Sequence, residues 1–239
     1  MDTYASLRRF VAVLVGIAPG CGGSQPAVQH APAELSDGTG TPPEDDGLSI
    51  SGLRGTLSTL EIQGALEPRL PKLSRCAAKR TSEVEWLGGE LEFGFNVAVD
   101  GSVIRVYPTR STLGDRETER CMLDVARATH FPRPHGGEAD FTWSVEIPAN
   151  PDVRPPDRWE APELDQLRTS VVPQLAEQCS PAPLEVTLYV DVDGRVVSAG
   201  AASPSGEADD ALDCVTSLLQ SLSFPTPGSY VASVQWSFP

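Results

Sequence analysis

Lysine is almost missing from this chain: Lys72 and Lys79 are the only two in 239 residues, and the formal net charge is −15. A phosphate backbone is gripped by clustered Lys and Arg, so this balance excludes a nucleic-acid partner. The acidity is read as serving solubility. Long apolar runs are missing too. The longest, Phe10–Ala18, follows Arg8-Arg9 and falls short of the roughly 20 residues a helix needs to cross a bilayer. Aromatic residues reach only 6% and apolar residues 40%, which suits two small cores and a solvated connector better than one large globule.

Chemistry-bearing patterns are equally sparse. There is no Gly-rich phosphate loop, and Ser205-Gly206 lacks the context of a nucleophile elbow. Asp191-Val-Asp-Gly194 opens like a calcium loop. Its glycine is fourth rather than sixth, and Ala98 stands where the first copy of the pattern would need an acid. It is therefore read as a hairpin turn. His30 lies in a polar connector, and His130 and His135 bracket Phe131-Pro-Arg-Pro134 without a carboxylate partner in the pattern. Asp209, Asp210 and Asp213 are read as a solvated helix face rather than a metal site, and Trp143 and Trp236 as core residues. The expectation is no catalytic residue, no metal and no cofactor.

What the chain does have is a duplication. Leu91, Phe93, Phe95, Val97 and Val99 are apolar at every second position, then comes Asp100-Gly101. Leu184, Val186, Leu188, Val190 and Val192, then Asp193-Gly194, repeat it 93 positions later. Alternation of this kind is a strand with one buried face, and Asp-Gly folds it back as a hairpin. Cys121 and Cys214, Phe131 and Phe224, and Trp143 and Trp236 are offset by the same 93. Each copy reads α-β-β-α-β. In the first, a helix kinked or delayed by Pro68 and Pro71 precedes a hairpin whose second strand stops at Pro108. A helix opened by Asp115 and a strand through Trp143 complete it. In the second, the first helix ends at Cys179, the hairpin covers 184–202, and the next helix runs from Glu207 to Leu222. The fold class expected is α+β: two tandem two-layer α/β domains, each a three-stranded antiparallel sheet of order 2-1-3 with both helices on one face.

The amino terminus reads as a signal peptide over residues 1–20, with small residues before Cys21 as in the lipobox of bacterial lipoproteins. Lipid on Cys21, palmitate included, would tether the chain to a membrane. Residues 21–50, rich in Gly, Ser, Pro, Thr, Asp and Glu, read as a disordered tether. The domains follow at 51–150 and 151–239. The other four cysteines fall two to a copy. In an exported protein they pair as Cys76 with Cys121 and Cys179 with Cys214, because each pair joins two helices that must cover the same sheet face.

The order α-β-β-α-β, the hairpins Leu91–Val103 and Leu184–Val196, the Phe-Pro-x-Pro segments 131–134 and 224–227, Gly136-Gly137, Cys121, Cys214, Trp143 and Trp236 together resemble the TonB carboxy-terminal domain superfamily. Two cysteines per unit look more like its AgmX/PglI carboxy-terminal branch. The second copy departs from the pattern with Ser229-Tyr230 in place of the Gly pair. The resemblance covers residues 56–239. It implies a small non-enzymatic domain that binds other proteins of the Gram-negative envelope. It does not carry over energy transduction, since a cleavable signal and short tether replace the membrane helix of the transducers.

The reading at this level is a lipid-anchored envelope protein, placed by default at the outer membrane facing the periplasm. It would bind or scaffold envelope proteins, with the sheet edges as working surface. The alternatives are an accessory part of a gliding-motility or TonB-like transport machine and, with least support, a periplasmic hydrolase.

Overall fold

The computed structural model describes residues 54–179, 183–206 and 209–239. Cys21, His30, the signal segment and the tether lie outside them.

The first repeat opens with a two-residue strand β1 (Arg54–Gly55) and a helix α1 (Thr59–Leu66). Ser58 caps that helix reciprocally: its hydroxyl accepts from the Glu61 N–H at 3.3 Å, and the Glu61 carboxylate accepts from the Ser58 N–H at 2.8 Å. The prolines act as expected. Pro68 tightens Glu67–Arg69 into a 3₁₀ turn, and the helix restarts as α2 (Leu70–Ala78) with Pro71 in its first turn. The hairpin is β2 (Gly89–Val97) and β3 (Val103–Ser111), followed by α3 (Arg116–Arg127) and β4 (Glu138–Ile147). Asp115 is the cap of α3, accepting from the Thr118 N–H at 3.0 Å. The second repeat runs β5 (Asp157–Arg158), α4 (Pro162–Gln178), β6 (Leu184–Val190), β7 (Val196–Ala202), α5 (Asp209–Gln220) and β8 (Ala232–Phe238).

Each sheet has four strands, not three. The orders are β1-β4-β2-β3 and β5-β8-β6-β7. The hairpin and last strand keep the 2-1-3 order, but a short parallel strand is added outside β4 and outside β8. Two residues carry no periodicity, so nothing in the sequence marks these strands. The second strand of the first hairpin also runs through Pro108. A register shift between Glu92 and Phe93 lies opposite it, and β3 is an edge strand, where a missing N–H is tolerated.

Two cores result. Leu66, Leu73, Met122, Leu123 and Ala126 of the helices meet Leu91, Phe93, Phe95 and Val97 in the first. Leu164, Val171, Leu175, Leu212, Val215 and Leu219 meet Leu184, Val186, Leu188 and Val190 in the second. The constant offset of Asp-Gly and Phe-Pro now has a cause. The Phe131 N–H donates to the Gly101 carbonyl at 2.9 Å, and the Phe224 N–H to that of Gly194 at 2.8 Å. At φ +92° and +80°, a Cβ on these glycines would stand 2.0 and 2.1 Å from the Phe131 and Phe224 carbonyl oxygens. Alanine at either position should cost about 2 kcal/mol or more, the φ penalty alone being roughly 1–3 kcal/mol. Thermal or urea unfolding checks this; an unchanged midpoint would show that the turn does not bear on the Phe-Pro segment.

Candidate functional site

The paired cysteines are bonded as the duplication requires. Cys76–Cys121 and Cys179–Cys214 each have their Cα atoms 5.6 Å apart. Trp143 is half-buried and stacks on Phe93 at 5.9 Å, while Trp236 is buried and stacks on Phe224 at 5.4 Å. Asp191 accepts the N–H groups of Asp193 and Arg195, both at 2.9 Å, and so closes its own turn. Among the described residues, no three His, Cys, Asp or Glu side chains gather as a metal site. His135 is exposed, 3.6 Å from Glu61.

The sheet edges have unequal fates. The hairpin edges β3 and β7 face one another across the junction of the repeats, where the Ser203 N–H donates to the Pro108 carbonyl at 2.9 Å. The loop that opens α3 lies on the helix-free face of the second sheet. A Cβ on Gly114 would meet the Tyr189 ring at 2.6 Å, and Tyr189 packs edge-on to Trp86 at 5.7 Å. Reciprocally, a Cβ on Gly206 would meet the Tyr107 ring at 3.0 Å. Each repeat thus sets its β–α loop against the other.

That junction is ionic. Arg116 donates through Nε to Asp213 at 2.8 Å and through Nη2 to the Asp209 carboxylate at 3.0 Å. Arg120 reaches Asp213 at 3.2 Å and Arg127 reaches Asp209 at 2.9 Å. Asp209 and Asp213 are therefore not a solvated face, as the sequence suggested, but the counter-ions of α3. Asp115 accepts from Thr118, from Arg80 Nε and Nη2, each at 3.2 Å, and from the Ser198 hydroxyl at 2.8 Å. Burial alone would raise its pKa. The Thr118, Arg80 and Ser198 contacts outweigh that and hold it below the usual carboxylate range. Glu119 is fully buried. It accepts from the Ser111 hydroxyl at 2.6 Å and from the Ala201 N–H at 3.2 Å. Burial pushes its pKa up to about 7, against the pull of Ser111 and Arg116.

The outer edge of β8 is different. Two contacts fix which residues point outward: the Trp159 N–H donates to the Ser233 carbonyl at 2.8 Å, and Arg168 Nη1 to the Ser237 carbonyl at 3.2 Å. Along an antiparallel strand, paired N–H and C=O groups alternate sides with period 2. Gln235, between these two, therefore turns its N–H and C=O away from β6 as well. Strand β5 covers this edge only at Ala232 and Ser233. Beyond it a groove of about 310 Å³ runs between β8 and α4, lined by Trp159, Leu164, Asp165, Arg168, Gln235 and Trp236 among others. A second hollow of about 270 Å³ continues it past Arg168, Val172, Pro173 and Phe238. Alternation alone located the strand but not this edge. Which side is free depends on where β5 and α4 end up. Comparison with protein families, with curated proteins and with solved structures finds no match.

Proposed function

We propose that this chain is a non-enzymatic envelope protein that binds other proteins by adding an extended segment to the outer edge of β8, against α4. The observation that carries the reading is the outward-facing backbone of Gln235 beside a groove walled by a helix. An unpaired strand edge is a template for another strand, and the wall supplies side-chain pockets for selectivity. The disulfides fit an oxidising compartment such as the periplasm. The resemblance to TonB carboxy-terminal domains and the lipobox-like Cys21 support a lipid-anchored location in the envelope. Membership of a motility or transport machine is a narrower version of the same reading, resting on the resemblance alone.

The test is a photo-crosslinking residue at Gln235 in the full chain, expressed in its envelope, beside the variant Gln235→Pro. Proline removes only the outward N–H and leaves the β6 pairing intact. A discrete adduct at 235 is expected, and affinity for the captured partner should fall at least tenfold in Gln235→Pro with an unchanged circular dichroism spectrum. Equal binding by the proline variant would rule out strand addition here. Labelling with a fatty-acid analogue, lost in Cys21→Ala, tests the anchor; labelling that persists removes it.

A further inference from the structure

The duplication makes the junction's asymmetry readable. At the 93-residue offset, Glu119 corresponds to Leu212, and Gly200 to Tyr107. Leu212 is buried in its own core, as an apolar residue at that helical position should be. Glu119 is as deeply buried but reaches into the other repeat, where Gly200 makes the space: a Cβ there would stand 2.3 Å from Glu119 Oε1. One copy has thus exchanged a core position for a carboxyl, opposite a strand position that has no side chain.

That carboxyl is poorly supplied as an anion. It receives one hydroxyl and one backbone N–H. Arg116 Nη1 stands 3.7 Å from Oε2 and has no hydrogen-bond partner among the described residues, because the rest of the guanidinium is turned to Asp209 and Asp213. The other charged groups add little support. Asp115, one turn away on the same helix, carries the same sign and is engaged with Arg80, which also pairs with Glu83 and Glu117. Strand β7 offers only Ser198, Gly200 and Ala201. On β6, burial first, then Asp115 and Glu119, push the Tyr189 hydroxyl up to about 12, so it stays neutral.

We infer that Glu119 is a proton-binding site that clamps the two repeats together, so that the junction tightens as the surroundings turn mildly acidic. Protonated, the carboxyl keeps the Ala201 contact without an ion to desolvate. Ionised, it prefers the opened junction, where water reaches it. The sign follows from linkage. Its folded pKa, about 7, lies above the ordinary 4.5, so the clamping contribution is complete below pH 4.5 and is lost as pH rises through 7. Asp115, held low, stays ionised throughout that window and does not oppose it. An exported protein meets the pH outside the cell, where such a clamp would report acidification to whatever the repeats hold.

The experiment follows the Glu119 side-chain carboxyl by ¹³C NMR in the full chain. Hydrogen exchange of the Ala201 amide, corrected for intrinsic rate, is measured alongside between pH 5 and 8. A midpoint near 7 is expected, with opening on the order of 100-fold more frequent at pH 8 than at pH 5. Glu119→Gln should abolish the pH dependence of Ala201 exchange. A carboxyl midpoint below 5 in the native protein, or exchange that depends on pH equally in Glu119→Gln, overturns the proposal. The carboxyl titration needs no variant and decides the matter should Glu119→Gln fail to fold.

Discussion

Replacing Arg116 by Met should cost about 3–5 kcal/mol of folding stability, the range found when one member of a buried ionic group is removed. Its side chain is only 7% exposed, and it is the shared counter-ion of three carboxylates. Methionine approximates the volume, so lost charge rather than a cavity dominates. Asp209 and Asp213 keep Arg127 and Arg120, so the uncompensated desolvation falls on Glu119, which water cannot reach. Urea unfolding near pH 7.5 measures the loss. The double variant Arg116→Met, Glu119→Leu should recover part of it, since Leu is what the other repeat carries at that position. A loss below about 1 kcal/mol would mean that the network is screened and that the junction is held by packing at Tyr107, Trp86 and Tyr189 instead.

The disulfides should matter as much. Each closes a loop of the unfolded chain, 45 residues for Cys76–Cys121 and 35 for Cys179–Cys214. Chain entropy gives about 4 kcal/mol for loops of that size. Domains of this kind are stable by only about 5–15 kcal/mol in total, so reducing both bonds should bring the chain close to unfolding at 37 °C. Each bond ties the end of a first helix to a helix on the same core, and the first helices bury few side chains besides. In α4 only Leu164, Val171 and Leu175 are fully buried. Urea midpoints with and without reductant test this. Peptide mapping under non-reducing conditions should return the two intra-repeat bonds, and a reduced chain as stable as the oxidised one would show that the cores suffice alone.

Both effects come from features that differ in how far the sequence announces them. The cysteine pairing was legible because the duplication repeats it. Cys121 and Cys214 keep the 93-residue offset, whereas Cys76 and Cys179 are 103 apart; each of the latter still ends the first helix of its copy, which leaves one geometrically sensible pairing. The hairpins and the Phe-Pro segments were legible for the same reason: their signals are local and occur twice. The cap at Asp115 was legible from one copy alone, since Ala208 stands at the matching place in the other. Arg116 was not. On α3 it reads as one charge among Glu117, Glu119 and Arg120, and its partners Asp209 and Asp213 lie more than ninety residues away. Glu119 was hidden likewise. A glutamate in a helix of alternating charge looks solvated, and only the neighbouring Gly200 betrays the space it fills.

The sequence by itself determined the units of this protein: two copies of α-β-β-α-β, their buried faces, their turns and their staples. Each of these follows from periodicity, turn chemistry or a repeated spacing, which act within a single copy. The tertiary structure alone decided how the copies meet and what that leaves open. Docking the β3 and β7 edges into a shared ionic junction consumes one side of each sheet, and β5 covers only the start of β8. The outward-facing backbone at Gln235 follows from where β5 and α4 end, and the buried carboxyl of Glu119 from the docking of the two repeats. The first is settled inside the second repeat by elements more than fifty residues apart, and the second does not exist in one repeat taken alone, because burial and edge exposure are properties of neighbours far apart in the chain.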